Sequence, residues 1–122
     1  MTHSSRNPEH LRELSLCLIP LDDVIDEKVD LIKLDIEGAE PMALEGMKRV
    51  LSESRPILIT ELNEYWLRAV SQSNSREYVS QIESAGYRVV TAASHARNER
   101  KPLVLPANVD PLFVTEVVCL PE

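Results

Sequence analysis

Carboxylates crowd two short stretches of this sequence, Asp35, Glu37 and Glu40 in the first and Glu61 and Glu64 in the second. Acid groups gathered this closely repel one another unless a cation or several hydrogen-bond donors sit among them. Three kinds of chemistry suit such a cluster: balancing the charge of a cationic ligand, orienting or deprotonating a hydroxyl, or ligating a hard metal ion through oxygen. Purely local roles compete with these. Glu37 and Glu40 can favour a helix N-terminus, Lys33 can pair with Asp35, and Glu61 can be a solvated strand end.

The hydropathy pattern supplies the elements that must position these groups. Residues 29–36 read as a buried strand running straight into Glu37-Gly38-Ala39-Glu40-Pro41. Alternation along it sets Lys33, Asp35 and Glu37 toward one face and Leu34 and Ile36 toward the other. Ala43, Leu44, Met47, Val50 and Leu51 form the apolar stripe of a helix, with Pro41 in its first turn. Pro56 ends that helix and opens a second strand over 57–62, finishing near Glu61, Asn63 and Glu64. If the two strands are neighbours, Glu61 lies beside Asp35 with about 5 Å between backbones.

Downstream, 63–70 reads as a helix and 71–75 as a polar break. Asn74 and Glu77 have capping-box spacing, and Tyr78, Val79, Ile82 and Ala85 make the next apolar stripe. Gly86 stops that helix, 87–91 is a strand, 92–101 a polar loop, and 103–105 and 112–120 are extended. Upstream, 1–13 is a loose lead-in, 14–19 a short strand, and Asp22 caps a turn through Val24 and Ile25. Strand, helix, strand, helix, strand predicts one α/β domain over 1–122. Its sheet is mostly parallel with an antiparallel edge, has helices on both faces, and binds ligands beyond the strands' carboxyl ends.

Composition narrows the function. The 122 residues are 43% hydrophobic but only 4% aromatic, so the core is aliphatic. A formal net charge of -7 with no basic run argues against nucleic acid. No apolar run approaches the roughly 20 residues of a membrane helix, and the polar N-terminus has no signal-peptide core; a cytoplasmic protein without a membrane partner is expected. Cys17 and Cys119 are expected as free, buried thiols, and His3, His10 and His95 lack zinc-ligand spacing. Tyr65, Trp66 and Tyr78 either offer stacking surface or pack in the core.

The runs Ile19-Pro20-Leu21-Asp22-Asp23-Val24-Ile25, Asp30-Leu31-Ile32-Lys33-Leu34-Asp35-Ile36-Glu37-Gly38-Ala39-Glu40, Leu44-Glu45-Gly46 and Pro56-Ile57-Leu58-Ile59-Thr60-Glu61 closely resemble the second half of FkbM-family S-adenosylmethionine-dependent methyltransferases. The resemblance is strong over 18–62 and fades to a compatible pattern through 120. It implies a partial class I methyltransferase (Rossmann-like) sheet, with 31–36 as the fourth strand and 57–62 as the fifth. It also implies O-methylation of a hydroxyl on a sugar or small metabolite, with S-adenosylmethionine as donor. Asp35 and Glu37 would face the cleft where donor and acceptor meet, Asp35 touching the donor, and Glu61 would close the fifth strand.

The family grips its donor with a Gly-rich loop after the first strand, and Gly38, Gly46 and Gly86, the three glycines here, cannot write one. The family's fourth strand also pairs with its first, so this chain is expected either to leave an apolar edge open to another copy or a complementing chain or to cover that edge with its own N-terminal residues. Three readings follow. One is the carboxyl-terminal half of an O-methyltransferase, as a truncated copy, with Asp35, Glu37 and Glu61 as catalytic residues. The second is a non-catalytic module that binds a partner through the sheet edge. The third is a Mg-dependent O-methyltransferase half with Asp35, Glu61 and Asn63 as oxygen ligands.

Overall fold

The computed structural model describes residues 13–122, so the expected lead-in over 1–13 lies almost wholly outside the described residues. Four strands form one sheet in the order β1-β2-β4-β3: β1 (Leu31–Leu34), β2 (Ile57–Asn63), β3 (Tyr87–Thr91) and β4 (Val114–Pro121). The chain between them is helical in α1 (Glu40–Glu45), α2 (Lys48–Glu53), α3 (Glu64–Ser71), α4 (Ser75–Ser84) and α5 (Ala92–Ala96).

β1 and β2 pair in parallel from Leu31↔Ile57 to Leu34↔Thr60. β4 runs antiparallel to both β2 and β3, with Thr60↔Val117 and Val90↔Val118 in register. This corrects the expected antiparallel edge: the reversed strand lies inside the sheet, and β1 and β3 form its ends. Val117, Val118 and Cys119, three buried residues in succession, have the continuous apolar character of a strand covered on both faces. The extended piece at 103–105 is no strand; it makes one backbone bond, Leu103 N–H to the Val89 carbonyl at 2.7 Å.

Leu34 on β1, Leu58 and Leu62 on β2, Tyr87 and Val89 on β3, and Val117 and Cys119 on β4 meet one set of helical residues. Those are Leu44 (α1), Val50 and Leu51 (α2), Leu67 (α3), Tyr78, Val79 and Ile82 (α4), with Met47 between α1 and α2. Helices α1 to α4 therefore cover a single face. Within it the Thr60 and Tyr78 hydroxyls bond to each other at 3.0 Å, and burial pushes the Tyr78 phenol far above its ordinary pKa. Among the described residues no helix covers the other face of β1 and β2, where Leu31 is 55% and Ile57 38% exposed, against the expected helices on both faces.

The helix expected over 43–51 breaks in two at Gly46, which packs closely on Pro20. Asp22 caps the second half rather than its own turn: its carboxylate accepts the N–H groups of Arg49 (2.8 Å) and Val50 (3.0 Å). Burial raises its pKa, but these two bonds and the Arg49 charge outweigh that and hold it below the ordinary carboxylate value. Residues 14–19 form no strand and are exposed, and Cys17 is exposed with them, against expectation; among the described residues no strand pairs with that segment. Cys119 is buried as expected, its thiol pushed up to about 12. At the far side, Arg55 donates to the carbonyls of Ala85, Gly86 and Glu122 and lies 4.9 Å from the Tyr87 ring centre, tying the start of β2 to the Gly86 turn.

Candidate active site

Because β1 and β2 are parallel neighbours, their carboxyl ends open at the same side of the sheet. β1 stops at Leu34, and the chain turns at once through Glu37 (φ 52°) and Gly38 (φ 93°), consecutive residues in the left-handed region. Position 38 excludes a side chain twice over, since a Cβ there would be strained at this φ and would fall 2.2 Å from the Trp66 carbonyl oxygen. Ser71 Oγ donates to the Gly38 carbonyl, so the turn rests on α3. Asp35, Ile36 and Glu37 are all exposed. The expected alternation thus fails beyond Leu34, because the turn and not the pleat aims Ile36 and Glu37.

Glu40 does occupy the first turn of α1, but its side chain is 3% exposed and turns back to accept the Ile36 N–H at 3.0 Å. Its carboxylate holds the turn that displays Asp35 and Glu37. That role was not read from the sequence, although the return spacing from Glu40 to Ile36 was there to be read.

On β2, Glu61 is half-buried and accepts the Asn63 side-chain amide at 3.2 Å. It stands one step beyond the last paired residues, Leu34↔Thr60, as Asp35 does on β1. Across the antiparallel ladder Glu61 faces Glu116, and the Glu116 carboxylate lies 3.7 Å from Lys33 Nζ. Lys33 therefore pairs with β4 and not with Asp35. Asn63 is used on both sides: its amide nitrogen serves Glu61 and its oxygen caps α3 by accepting the Trp66 N–H at 3.2 Å. Among the described residues no group of three or more His, Cys, Asp or Glu is arranged to hold a metal ion. The magnesium reading on Asp35, Glu61 and Asn63 finds no support.

Glu64, counted with the acidic cluster by sequence, is fully buried and structural. Its two oxygens accept Arg68 Nε at 2.7 Å and the Ser75 N–H at 2.8 Å, joining α3 to α4. Burial works against its charge, yet Ser75 and the Arg68 guanidinium hold its pKa below the ordinary value. The Glu64 to Arg68 spacing of four was the available signal. The aromatic residues divide: Tyr78 is core, whereas Tyr65 and Trp66 are 57% and 39% exposed and meet edge to face with centroids 5.1 Å apart.

The arrangement brings Asp35, Glu37 and Glu61 to one end of the sheet, holds the first two on a glycine-dependent turn, and leaves them open to ligand. It can receive a positive charge and accept hydrogen bonds from hydroxyls. Such a mixed α/β sheet with acids at a shared strand end is compatible with a group-transfer enzyme. The FkbM methyltransferase domain matches residues 2–89, and the chain belongs to that family. The resemblance read from the motifs over 18–62 is borne out, and the family's general activity is methyl transfer. Neither a comparison with curated proteins nor one with solved structures finds a significant match.

Proposed function

We propose that this chain carries the acceptor side of an S-adenosylmethionine-dependent O-methyltransferase with a class I, Rossmann-like sheet. The observation that supports the reading is the shared carboxyl end of β1 and β2, to which Asp35, Glu37 and Glu61 belong by their positions along the chain. A sulfonium donor brings one positive charge, and exposed carboxylates balance it while accepting the acceptor's O–H. Asp35 and Glu37, displayed by the Glu40-pinned turn, suit charge balance and orientation; Glu61, half-buried beside Asn63, is the candidate for receiving the hydroxyl proton. The donor supplies the methyl group, and these side chains position it against the acceptor.

No Gly-rich donor loop is written in these 122 residues, so the reading expects weak donor binding by these residues. Calorimetric titration with S-adenosylmethionine tests it. A saturable heat that Asp35→Asn abolishes supports the assignment, and a chain silent toward the donor, with and without alcohol acceptors, contradicts it. The second reading, a partner-binding module, is favoured by one feature: among the described residues the outer edge of β1 is unpaired, beside exposed Leu31. A clean monomer on size exclusion counts against it.

A further inference from the structure

We propose, independently of the methyl-transfer reading, that residues 14–19 are a dimerisation arm, which pairs antiparallel with the same arm of a second copy of this chain.

The arm is patterned like a strand and has no strand beside it. Leu14, Leu16 and Leu18 alternate with Ser15, Cys17 and Ile19, and no charge falls between Glu13 and Asp22. The three leucines are 80%, 81% and 92% exposed, against the ordinary preference of that side chain. Among the described residues no hydrogen bond reaches the backbone of 14–19 and no strand pairs with it. An apolar run whose N–H and C=O groups lack partners is a template for another strand. Its root, by contrast, is fixed. Pro20 packs on Gly46, and the Asp22 N–H bonds to the Gly46 carbonyl at 2.9 Å, so the arm stands out from an anchored base.

What the arm matches best is itself. With Cys17 set opposite Cys17 of the second copy, Leu16 meets Leu18, Ser15 meets Ile19 and Leu14 meets Pro20, each pair occurring twice. None of these pairs places a charge against an apolar side chain. The two-fold axis through the central pair stands perpendicular to the ribbon, so all six leucines share one face and both cysteines the other. The outer edge of β1 is a poorer match, because six residues laid along 30–35 would meet Asp30, Lys33 and Asp35.

A two-stranded ribbon alone is marginal in water. Support lies at the base of each arm, where Leu18, Ile19 and Pro20 line an apolar groove with Ile36, Met42 and Gly46. Leu14 and Leu16 of the second copy, opposite Pro20 and Leu18, arrive at that wall. Ile36 and Met42 are themselves exposed, so the leucine face has further apolar surface to cover.

Sedimentation of the full chain over a dilution series is expected to show two-chain particles that dissociate on dilution. Leu16→Arg, at an exposed position, is expected to sediment as one chain at every concentration while keeping the circular dichroism of the folded protein. The register has its own readout. Directly opposed residues of antiparallel strands have Cα atoms about 4.5 or 5.5 Å apart, within disulfide reach, so diamide, which takes up the two thiol hydrogens, should link Cys17 to Cys17. In Ser15→Cys on a Cys17→Ser background the two thiols lie four residues apart along the ribbon, about 13 Å, and linkage should be at least about tenfold slower. A single chain at every concentration, or linkage as fast at 15 as at 17, overturns the proposal. So does a dimer that survives Leu16→Arg, and its loss in Leu31→Arg would place the contact at the β1 edge instead.

Discussion

Gly38 and Trp66 touch backbone to side-chain root, with the Trp66 carbonyl occupying the space a residue-38 side chain would need. The contact couples the end of β1, and the turn that carries Asp35 and Glu37, to α3. Gly38→Ala must both adopt a left-handed φ and displace backbone, and it is expected to destabilise the fold by about 2–4 kcal/mol. Urea denaturation checks this; a loss below about 0.5 kcal/mol would mean that α3 yields freely.

Glu40 is expected to control the order of the same turn. Glu40→Ala leaves the Ile36 N–H without its partner and is expected to cost about 1–3 kcal/mol, while Glu40→Gln, which keeps an acceptor oxygen, is milder. Amide exchange supplies the local readout: the Ile36 amide should lose protection in Glu40→Ala while Val89 in the sheet keeps its own.

Much of this architecture was legible from residues alone. Asn74 caps α4 as the Asn74–Glu77 spacing indicated, Gly86 takes the left-handed φ that stops the chain after α4, and β3 spans the expected Tyr87–Thr91. Local signals sufficed there because each feature is settled within one turn of chain. Where the outcome depended on distant partners, the pattern was silent. The helix breaks after Glu45 at Gly46, which packs on Pro20, Lys33 finds Glu116 on a strand more than eighty residues later, and β4 enters between β2 and β3. The candidate site was half legible: Asp35, Glu37 and Glu61 do lie at one end of the sheet, while Glu40 and Glu64 turn inward to bond backbone N–H groups, and only their spacings to Ile36 and Arg68 set them apart in the sequence.

Acid should loosen two helix contacts. The folded pKa values of Asp22 and Glu64 lie below their ordinary ones. Their stabilisation is therefore complete above the ordinary carboxylate range, roughly pH 4, and is lost as pH falls through the lower folded values. Asp22→Ala is expected to cost about 1–2 kcal/mol and Glu64→Ala about 2–3 kcal/mol near neutrality. Melting temperatures measured from neutral to acid pH should show each variant's deficit shrinking below roughly pH 4. A deficit that stays constant would show that charge is not what these side chains contribute.

The two thiols should separate cleanly. Cys119 is buried with its pKa pushed up to about 12, while Cys17 is exposed. Near pH 8, around the ordinary thiol value, a disulfide reagent is expected to titrate one thiol in the folded chain and both after denaturation. Two reactive thiols without denaturant would contradict the sheet interior described for β4.

The carboxylates of the site itself should matter little for folding. Asp35→Asn, Glu37→Gln and Glu61→Gln are expected to shift stability by no more than about 0.5 kcal/mol, since the first two side chains are exposed and the third keeps its place beside Asn63. Their effect belongs to ligand binding. The most direct measurement is an amide chemical-shift map of the isotope-labelled chain during titration with S-adenosylmethionine. The account predicts perturbations concentrated from Asp35 to Glu40 and from Glu61 to Trp66, and lost in Asp35→Asn. Perturbations confined to distant segments such as 97–106, or none at saturating donor, would contradict it.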